Sequence, residues 1–310
     1  MKPCAALRIA AIYALSVLPS QGTEIIIRYP AVSQRTLNTV LWTGTQFVAA
    51  GDNGAVHVSP DGISWTTGEL PDAPSILCGA TGNGHIVLAG EKGVLATSTD
   101  GIHWTAGGGI ASELSQFFSI QSMAFNGTVF RATSVNSGGN WTSANGTDWT
   151  TLTTTSSNDR LAVKGAEFLA WPFAALTDQP QTLMHDTGSG WTLTTTSLTQ
   201  SMRHLVWDGF RFISVGNAGA AATSADGTTW TPRNTGVTAA LVHVIWTGSL
   251  AVAIGSGGTI ITSPNGAAWT ARASGTTSNL NSVAWSGSGL VAVGKDGVIV
   301  LSTDGTAWTV

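Results

Sequence analysis

The sequence predicts an all-β repeat protein, on three observations. A motif of the form Ser/Thr-x-Asp/Asn-Gly-x-x-Trp occurs seven times, with a degenerate fourth copy. Its copies lie 39 to 45 residues apart, a period typical of propellers and solenoids. Between them, short β-branched and apolar runs alternate with turns rich in Gly, Asp and Asn, and no helical period occurs after residue 22. The motif copies end on Trp65, Trp104, Trp149, Trp191, Trp230, Trp269 and Trp308.

The repeat that ends at Trp308 shows the elements of one unit most clearly. Leu280 to Trp285, Leu290 to Val293 and Val298 to Leu301 are predicted as strands A, B and C, and the motif turn leads into strand D. Four strands repeated seven times predict a seven-bladed β-propeller of four-stranded antiparallel blades. Nearly continuous apolar strands fit this fold, because each blade buries both of its sheet faces against neighbours.

The recurring motif is predicted to be structural. Its Asp or Asn is expected to accept hydrogen bonds from N–H groups of its own turn, and the Gly that follows is expected to adopt positive φ. Its Trp is expected to pack in the seam between blades. Calcium is the alternative, but each turn offers one ligand where an oxygen site needs several, so we expect no metal and no cofactor. The six structural positions are Asp61, Asp100, Asn145, Asp226, Asn265 and Asp304.

These residues carry a resemblance to a known family. The segments Ser59 to Trp65 and Ser98 to Trp104 resemble the Asp-box, or BNR, repeat of sialidase-like propellers. With the Trp-x-Gly and Val-Ala-Val-Gly elements, residues 34–310 are similar to the non-enzymatic seven-bladed propellers typified by the photosystem II assembly and stability factor. The resemblance implies the fold and leaves the function open, because Asp-boxes also occur in sialidases, glycosidases and lectin-like modules.

The N-terminus differs from the repeats. Lys2 and Arg8 precede and flank an apolar stretch at residues 9–18, and small residues follow at Ser20 and Gly22. This pattern predicts a secretory signal peptide over residues 1–22, with a secreted or periplasmic product. The stretch is too short for a permanent membrane anchor, so no span is expected in the mature chain. The alternative is a disordered or wrongly assigned leader.

Residues 23–33 are predicted to form a latch strand, and residues 34–310 the propeller. The segment Glu24 to Tyr29 has strong β character, and strand D of the last blade is cut short after Trp308. We therefore expect the segment to pair with the outer edge of blade 7, the alternative being a mobile tail. After cleavage Cys78 would be the single cysteine, which predicts a small buried thiol.

One departure from the repeat marks a candidate site. Counting three residues back from the end of strand A, with a one-residue shift in blade 2, gives Thr39, Leu77, Ser122, Arg160, His204, His243 and Ser282. Blades 4 to 6 thus place Arg, His and His where the other blades have small or apolar residues. If strand A lines the central channel, these side chains form a polar arc near its mouth. The predicted ligand site comprises Asp159, Arg160, Arg203, His204, His243 and, from the long B–C segment of blade 4, Asp178.

The histidines of this arc suggest a pH-dependent ligand site. With an ordinary pKa of about 6.5, each histidine is expected to gain charge as the pH falls and so to favour an anionic ligand. The alternative is that the arc consists of solvated channel residues without a ligand.

The amino-acid composition argues against two classes of function, nucleic-acid binding and sialidase activity. Charged residues make up 10% of the 310 residues and the formal net charge is −4, which argues against a nucleic-acid partner. The sequence argues against a sialidase, which requires a Tyr nucleophile, because the only Tyr outside the leader, Tyr29, lies ahead of blade 1. We predict a secreted, monomeric, non-catalytic scaffold that binds a protein, peptide or glycan through the face of the B–C and D–A loops. The alternatives are a glycoside hydrolase or lyase with carboxylates around Asp159 and Asp178, and a structural component of a phage or cell-surface assembly.

Overall fold

A computed structural model describes residues 34–70, 74–106, 119–134, 139–152, 160–171, 180–186 and 191–310. Within these ranges the chain forms 27 strands in seven antiparallel sheets, joined by tight turns and without an α-helix. The inner strand of each sheet lies beside the inner strands of the two adjacent sheets, and the first and last sheets are neighbours. The protein is therefore a seven-bladed β-propeller, as the sequence predicts.

The strands follow the chain from the centre of each blade to its rim. Blade 1 has β1 Leu37–Trp42, β2 Phe47–Gly51, β3 Ala55–Ser59 and β4 Thr66–Glu69; blade 2 has β5 Ile76–Gly82, β6 His85–Gly90, β7 Leu95–Ser98 and β8 Thr105–Ala106; blade 3 has β9 Ile120–Phe125, β10 Phe130–Ser134, β11 Asn140–Ser143 and β12 Thr150–Leu152. Blade 4 has β13 Arg160–Lys164, β14 Glu167–Trp171, β15 Thr182–Asp186 and β16 Trp191–Thr195; blade 5 has β17 Met202–Trp207, β18 Phe212–Gly216, β19 Ala221–Ser224 and β20 Thr231–Arg233. Blade 6 has β21 Leu241–Trp246, β22 Ala251–Gly255, β23 Ile260–Ser263 and β24 Thr270–Arg272; blade 7 has β25 Leu280–Trp285, β26 Leu290–Gly294 and β27 Ile299–Ser302.

The hydrophobic core is divided into the seams between blades. Each of seven apolar clusters joins side chains of two adjacent blades, and each contains one motif tryptophan. In the seam between blades 4 and 5, Trp230 is 3% exposed and packs against Trp171 and Phe212 at centroid distances of 5.2 and 6.3 Å. The predicted packing of the motif tryptophans between blades is therefore confirmed.

In the six motif turns that the structure describes, a network of hydrogen bonds holds the tryptophan in place. In blade 5, Oδ1 of Asp226 accepts the N–H groups of Thr228 and Thr229, both at 2.8 Å. Ser224 Oγ accepts the Gly227 N–H at 2.8 Å, and Trp230 Nε1 donates to the Gly227 carbonyl at 3.0 Å. The other five predicted positions, Asp61, Asp100, Asn145, Asn265 and Asp304, accept the N–H groups two and three residues on in the same way.

These bonds act on the carboxylates themselves. The pKa of Asp226 lies below its ordinary value chiefly because the Thr229 and Thr228 N–H groups favour the charged form. A lowered pKa means that this turn contributes stability above the ordinary carboxyl pKa of about 4, and that the contribution is lost as the pH falls below it.

Blade 4 has a buried ion pair at the position where the other blades have the motif serine. Asp186 occupies the position in β15 that serine holds in the other blades, opposite Phe168 of β14. Its carboxylate lies 2.6 Å from the guanidinium of Arg131 in blade 3, and the Arg131 Cζ lies 5.3 Å from the centre of the Phe168 ring. Asp186 is 1% exposed, so the seam between blades 3 and 4 combines charge pairing with apolar packing.

Blade 7 has a single bridge where the other blades have strand D. Leu301 and Thr309 exchange two backbone hydrogen bonds of 2.8 and 2.9 Å. The shortened strand D agrees with the sequence. The predicted signal peptide and latch, residues 1–33, lie outside the described residues. No helix within the described part of the chain combines the length and hydropathy needed to cross a membrane.

Replacing Trp230 by Ala is expected to lower the free energy of unfolding by about 3–5 kcal/mol, because it opens a cavity in the seam between blades 4 and 5. Denaturant unfolding measures the loss. Phe210→Ala is the matched control, since this aromatic ring of the same blade is 79% exposed, and its effect should stay within about 0.5 kcal/mol. Equal losses in the two variants would contradict the seam role.

Replacing Asp226 by Ala should lower the Tm by about 2–4 °C, because two turn N–H groups lose their acceptor. Asp226→Asn is the control that keeps Oδ1, as Asn265 does in blade 6 with bonds of 2.9 and 3.3 Å. Thermal unfolding of the two variants should therefore show a much smaller decrease for Asn. A decrease as large for Asn as for Ala would mean that charge, and not the turn bonds, stabilises the motif.

Candidate functional site

Strand register defines two rings of side chains around the central channel. The first, called the inner ring, pairs with equivalent positions of the second strand in every blade and comprises Thr39, Cys78, Ser122, Arg160, His204, His243 and Ser282. The residues that immediately precede them form the mouth ring. Among the described residues, the mouth ring comprises Asn38, Leu77, Gln121, Arg203, Val242 and Asn281. The sequence-based alignment was wrong in blade 2, because Cys78 and not Leu77 occupies the inner ring, and no shift is needed.

Inner-ring side chains accept hydrogen bonds from backbone N–H groups that have no partner in a neighbouring strand. The inner edge of each blade faces the channel, so its N–H groups lack a ladder partner. In blades 3 and 7, serine hydroxyls accept such N–H groups of the next blade: Ser122 from Leu161 at 2.9 Å and Ser282 from Val40 at 3.1 Å. These bonds link one blade to the next at the centre of the molecule.

The two histidines perform the same function in blades 5 and 6. Nδ1 of His204 accepts the Val244 N–H at 3.5 Å, and Nδ1 of His243 accepts the Val283 N–H at 3.3 Å. Their rings lie 4.2 Å apart between centroids, at an angle of 54°. Both rings are partly exposed, but only to the channel that the blades enclose.

This enclosure keeps both imidazoles neutral. Loss of hydration, followed by the positive charge of Arg160, lowers the pKa of His243 to about 3. Loss of hydration, then His243 and Arg160, lowers the pKa of His204 well below its ordinary value. The expectation that these histidines gain charge near pH 6.5 is therefore wrong. The sequence could not show it, because the cause is the surrounding channel wall.

The inner ring also contains Cys78, the only cysteine among the described residues. Its surroundings do not activate the thiol. Cys78 is 8% exposed, and its Sγ donates to the Ile120 carbonyl at 3.5 Å. Burial raises the pKa of its thiol to about 12, so it stays protonated and unreactive at neutral pH. The predicted buried thiol is confirmed.

The mouth ring surrounds a cavity of about 270 Å³ at the end of the channel where the inner strands begin; Arg160 of the inner ring also lines it. Two of its residues contact the turns between the second and third strands. Arg203 Nε donates to Asn217 Oδ1 at 2.5 Å, and Asn38 Nδ2 donates to Asp52 Oδ1 at 2.9 Å. The mouth is therefore continuous with the B–C loop face. A second cavity, of about 310 Å³, extends along the inner strands and is lined by the inner ring.

The structure brings together four of the six predicted ligand residues. Arg160, Arg203, His204 and His243 line the channel or its mouth. Asp159 and Asp178 lie outside the described residues. Sequence reasoning missed the mouth-ring amides of Asn38, Gln121 and Asn281, although the same register, one residue earlier in strand A, would have found them.

Two acids of blade 4 that a hydrolase could use are committed to ion pairs. Asp186 pairs with Arg131, as described above. Glu167 lies 3.0 Å from His185 Nε2 and 3.8 Å from Lys164 Nζ. In the described ranges, no group of three or more His, Cys, Asp or Glu side chains is placed to hold a metal ion.

Comparisons with known proteins agree with the architecture. No family model matches the sequence, and no curated protein is significantly similar to it. Among solved structures, YCF48 bound to D1 peptide superposes with a TM-score of 0.71 at 14% identity, over 91% of this chain and 99% of that one. YCF48 from Cyanidioschyzon merolae gives 0.70 at 15%, over 88% and 97%. The WD40 β-propeller domain of Doa1 gives 0.67 at 13%, over 89% and 96%. These likenesses show the fold; membership of the Asp-box, sialidase-like group stays a prediction.

The neutral histidines predict a loss of stability in mild acid. Their folded pKa values lie below the unfolded value of about 6.5, so stability is present above that pH and falls as protons bind the unfolded chain. For His243, whose folded pKa is about 3, the loss between pH 7 and 5 is about 2 kcal/mol, and His204 acts in the same direction. Denaturant unfolding at the two pH values measures this slope. In His204→Ser/His243→Ser, where hydroxyls replace the acceptors, the slope should be smaller.

The matched control is Phe210→Ala, because the Phe210 ring is 79% exposed and carries no titratable group. It should leave the slope between pH 7 and 5 almost unchanged. A double variant with the slope of the unaltered protein would show that the channel histidines have the same pKa in the folded protein as in the unfolded chain.

Proposed function

We propose that the protein is a secreted, monomeric, non-catalytic scaffold that binds an extended segment of a partner protein across the mouth ring and the B–C loop face. The observation that carries the proposal is the composition of the mouth ring. Two guanidinium groups, of Arg160 and Arg203, lie with three amide side chains around one cavity. Amides pair with peptide N–H and C=O groups, and guanidinium groups pair with carboxylates.

The fold supports this use of the mouth. A ring of seven packed blades is a rigid frame, and its loops can differ from blade to blade without disturbing the seams. YCF48, which has a similar fold, is known in a structure bound to D1 peptide. Export of the protein rests on the N-terminal pattern of residues 1–22.

Charge gives the partner segment its chemistry. The chain as a whole carries a formal net charge of −4, yet both charged residues among the described lining of the mouth are arginines. A local positive site on an acidic protein attracts a short acidic segment at close range and repels an acidic surface at long range. We therefore infer that the bound segment is acidic where it meets the channel.

A peptide library displayed on phage, selected against the immobilised protein, tests the proposal. Selected peptides should contain acidic residues, and their affinity should fall with added salt. Arg203→Gln should weaken their binding at least about tenfold, measured by fluorescence anisotropy, because a charge-assisted pair is lost.

The control is Arg233→Gln, which removes an arginine from the outer strand of the same blade, where its Nε contacts Thr223 Oγ1 at 3.0 Å. It should leave the affinity unchanged. Failure to select any peptide, or equal effects of the two substitutions, would overturn the assignment of the mouth.

A further inference from the structure

The hydrogen bonds of the two channel histidines fix where their protons lie. Nδ1 of His204 and of His243 each accept a backbone N–H, from Val244 and Val283 respectively. A ring nitrogen that accepts needs its lone pair, so the proton of each neutral imidazole is on Nε2. Each ring therefore has one remaining polar group, and that group is a donor.

The neighbouring positions of the inner ring are donors as well. The Ser122 oxygen accepts the Leu161 N–H at 2.9 Å, which leaves its hydroxyl hydrogen to donate. Arg160, between Ser122 and His204 in ring order, has five N–H groups and a fixed positive charge. Three successive blades, 4 to 6, thus supply a guanidinium and two imidazole N–H groups, with a hydroxyl from blade 3.

The cavity that these groups line has the character of an anion site. It is about 310 Å³ in volume, and its described lining includes Arg160, His204 and His243 but no Asp or Glu. Asp159, which precedes Arg160 in the sequence, lies outside the described residues. Arg160 lines both this cavity and the mouth cavity, as do Asn38, Leu77, Gln121 and Asn281, so the two cavities adjoin.

We propose that the inner ring binds a compact oxyanion, such as a carboxylate, between Arg160 and the Nε2–H groups of His204 and His243. Donors aimed at a negative charge in an enclosed site form strong hydrogen bonds. The proposal deepens the proposed function and rests on it where the oxyanion is the terminal carboxylate of a bound peptide. A free small anion is the other source of the same chemistry.

Neutral donors give this site a distinctive pH response. If the histidines titrated with a pKa of about 6.5, anion affinity would rise about tenfold or more between pH 8 and 5.5. Here the positive charge comes from a guanidinium group, that of Arg160, and guanidinium groups stay protonated over this pH range. The thiol of Cys78, also in the lining, is protonated over this range. We therefore expect an affinity that is nearly constant with pH.

Titration of the full chain with acetate and with sulfate tests the site, since neither anion changes its charge appreciably over this pH range. Long-range ¹H–¹⁵N NMR spectra of the imidazoles should show the Nε2–H form of both rings at pH 8 and 5.5. Resonances of the two rings should shift on addition of either anion. A ring protonated on Nδ1, or no response of either ring, would overturn the proposal.

Variants separate binding from folding. His204→Ser/His243→Ser keeps acceptors for the two backbone N–H groups, as Ser122 and Ser282 do, but removes the Nε2–H donors. It should weaken anion binding at least about tenfold. Arg160→Gln should do the same and is the second variant if the double variant fails to fold. His103→Ser, on an exposed motif turn, should have no effect. Unchanged anion affinity in a folded Arg160→Gln or double variant would refute the site.

The selected peptides distinguish the two sources of the oxyanion. Peptides that bind with a free C-terminus and lose at least about tenfold on amidation would assign the site to a peptide end. Acetate and sulfate binding without a preference for a free terminus would assign it to a small anion. Peptides that bind equally to the unaltered and double-variant proteins, with no anion response, would refute this site and leave the scaffold function intact. Anion binding without any selected peptide would support the anion site and refute the peptide-binding scaffold function.

Discussion

The packing of one tryptophan into each seam is the interaction on which the remainder of the structure depends. A blade is too thin to have a core of its own, so its apolar faces are buried only where two blades meet. In the six described motif turns, five to seven hydrogen bonds inside a seven-residue segment align the tryptophan for that contact. Because the bonds are local, the turn can be repeated without coordination with distant sequence, and the blade geometry follows from it.

Local features could be predicted from the sequence, and features that depend on distant residues could not. The motif Asp and Asn were assigned to their turns because every partner lies within three residues. The register of blade 2 was misassigned because β5 lacks the terminal tryptophan that marks the inner strand of blades 1, 5, 6 and 7. The Arg131–Asp186 ion pair joins residues that are 55 positions apart and lie in two blades, and no sequence pattern in either segment predicts it.

The candidate site shows the same division. The position of Arg160, Arg203, His204 and His243 around one channel follows from counting along repeated strands. Their chemistry does not, because it is set by side chains and backbone groups of other blades. Both histidines have a structural function, as acceptors for the next blade, and this function determines which ring nitrogen is available to a ligand. A residue can thus be required by the fold and still shape binding, so loss of binding in a variant needs a stability measurement beside it.

The contacts that close the ring between blades 7 and 1 bear on where the chain could begin and end within this fold. The seam between blades 7 and 1 contains the same kind of apolar cluster as the others, including Trp65, and the same serine-to-backbone bond at its inner edge, from Val40 to Ser282. Within the described residues, that junction is made of the same contacts as a junction inside the chain. The ring is therefore closed by the same kinds of contact that join consecutive blades. A circular permutant, with the present ends joined by a linker and new ends opened in an exposed D–A connection, would keep every seam.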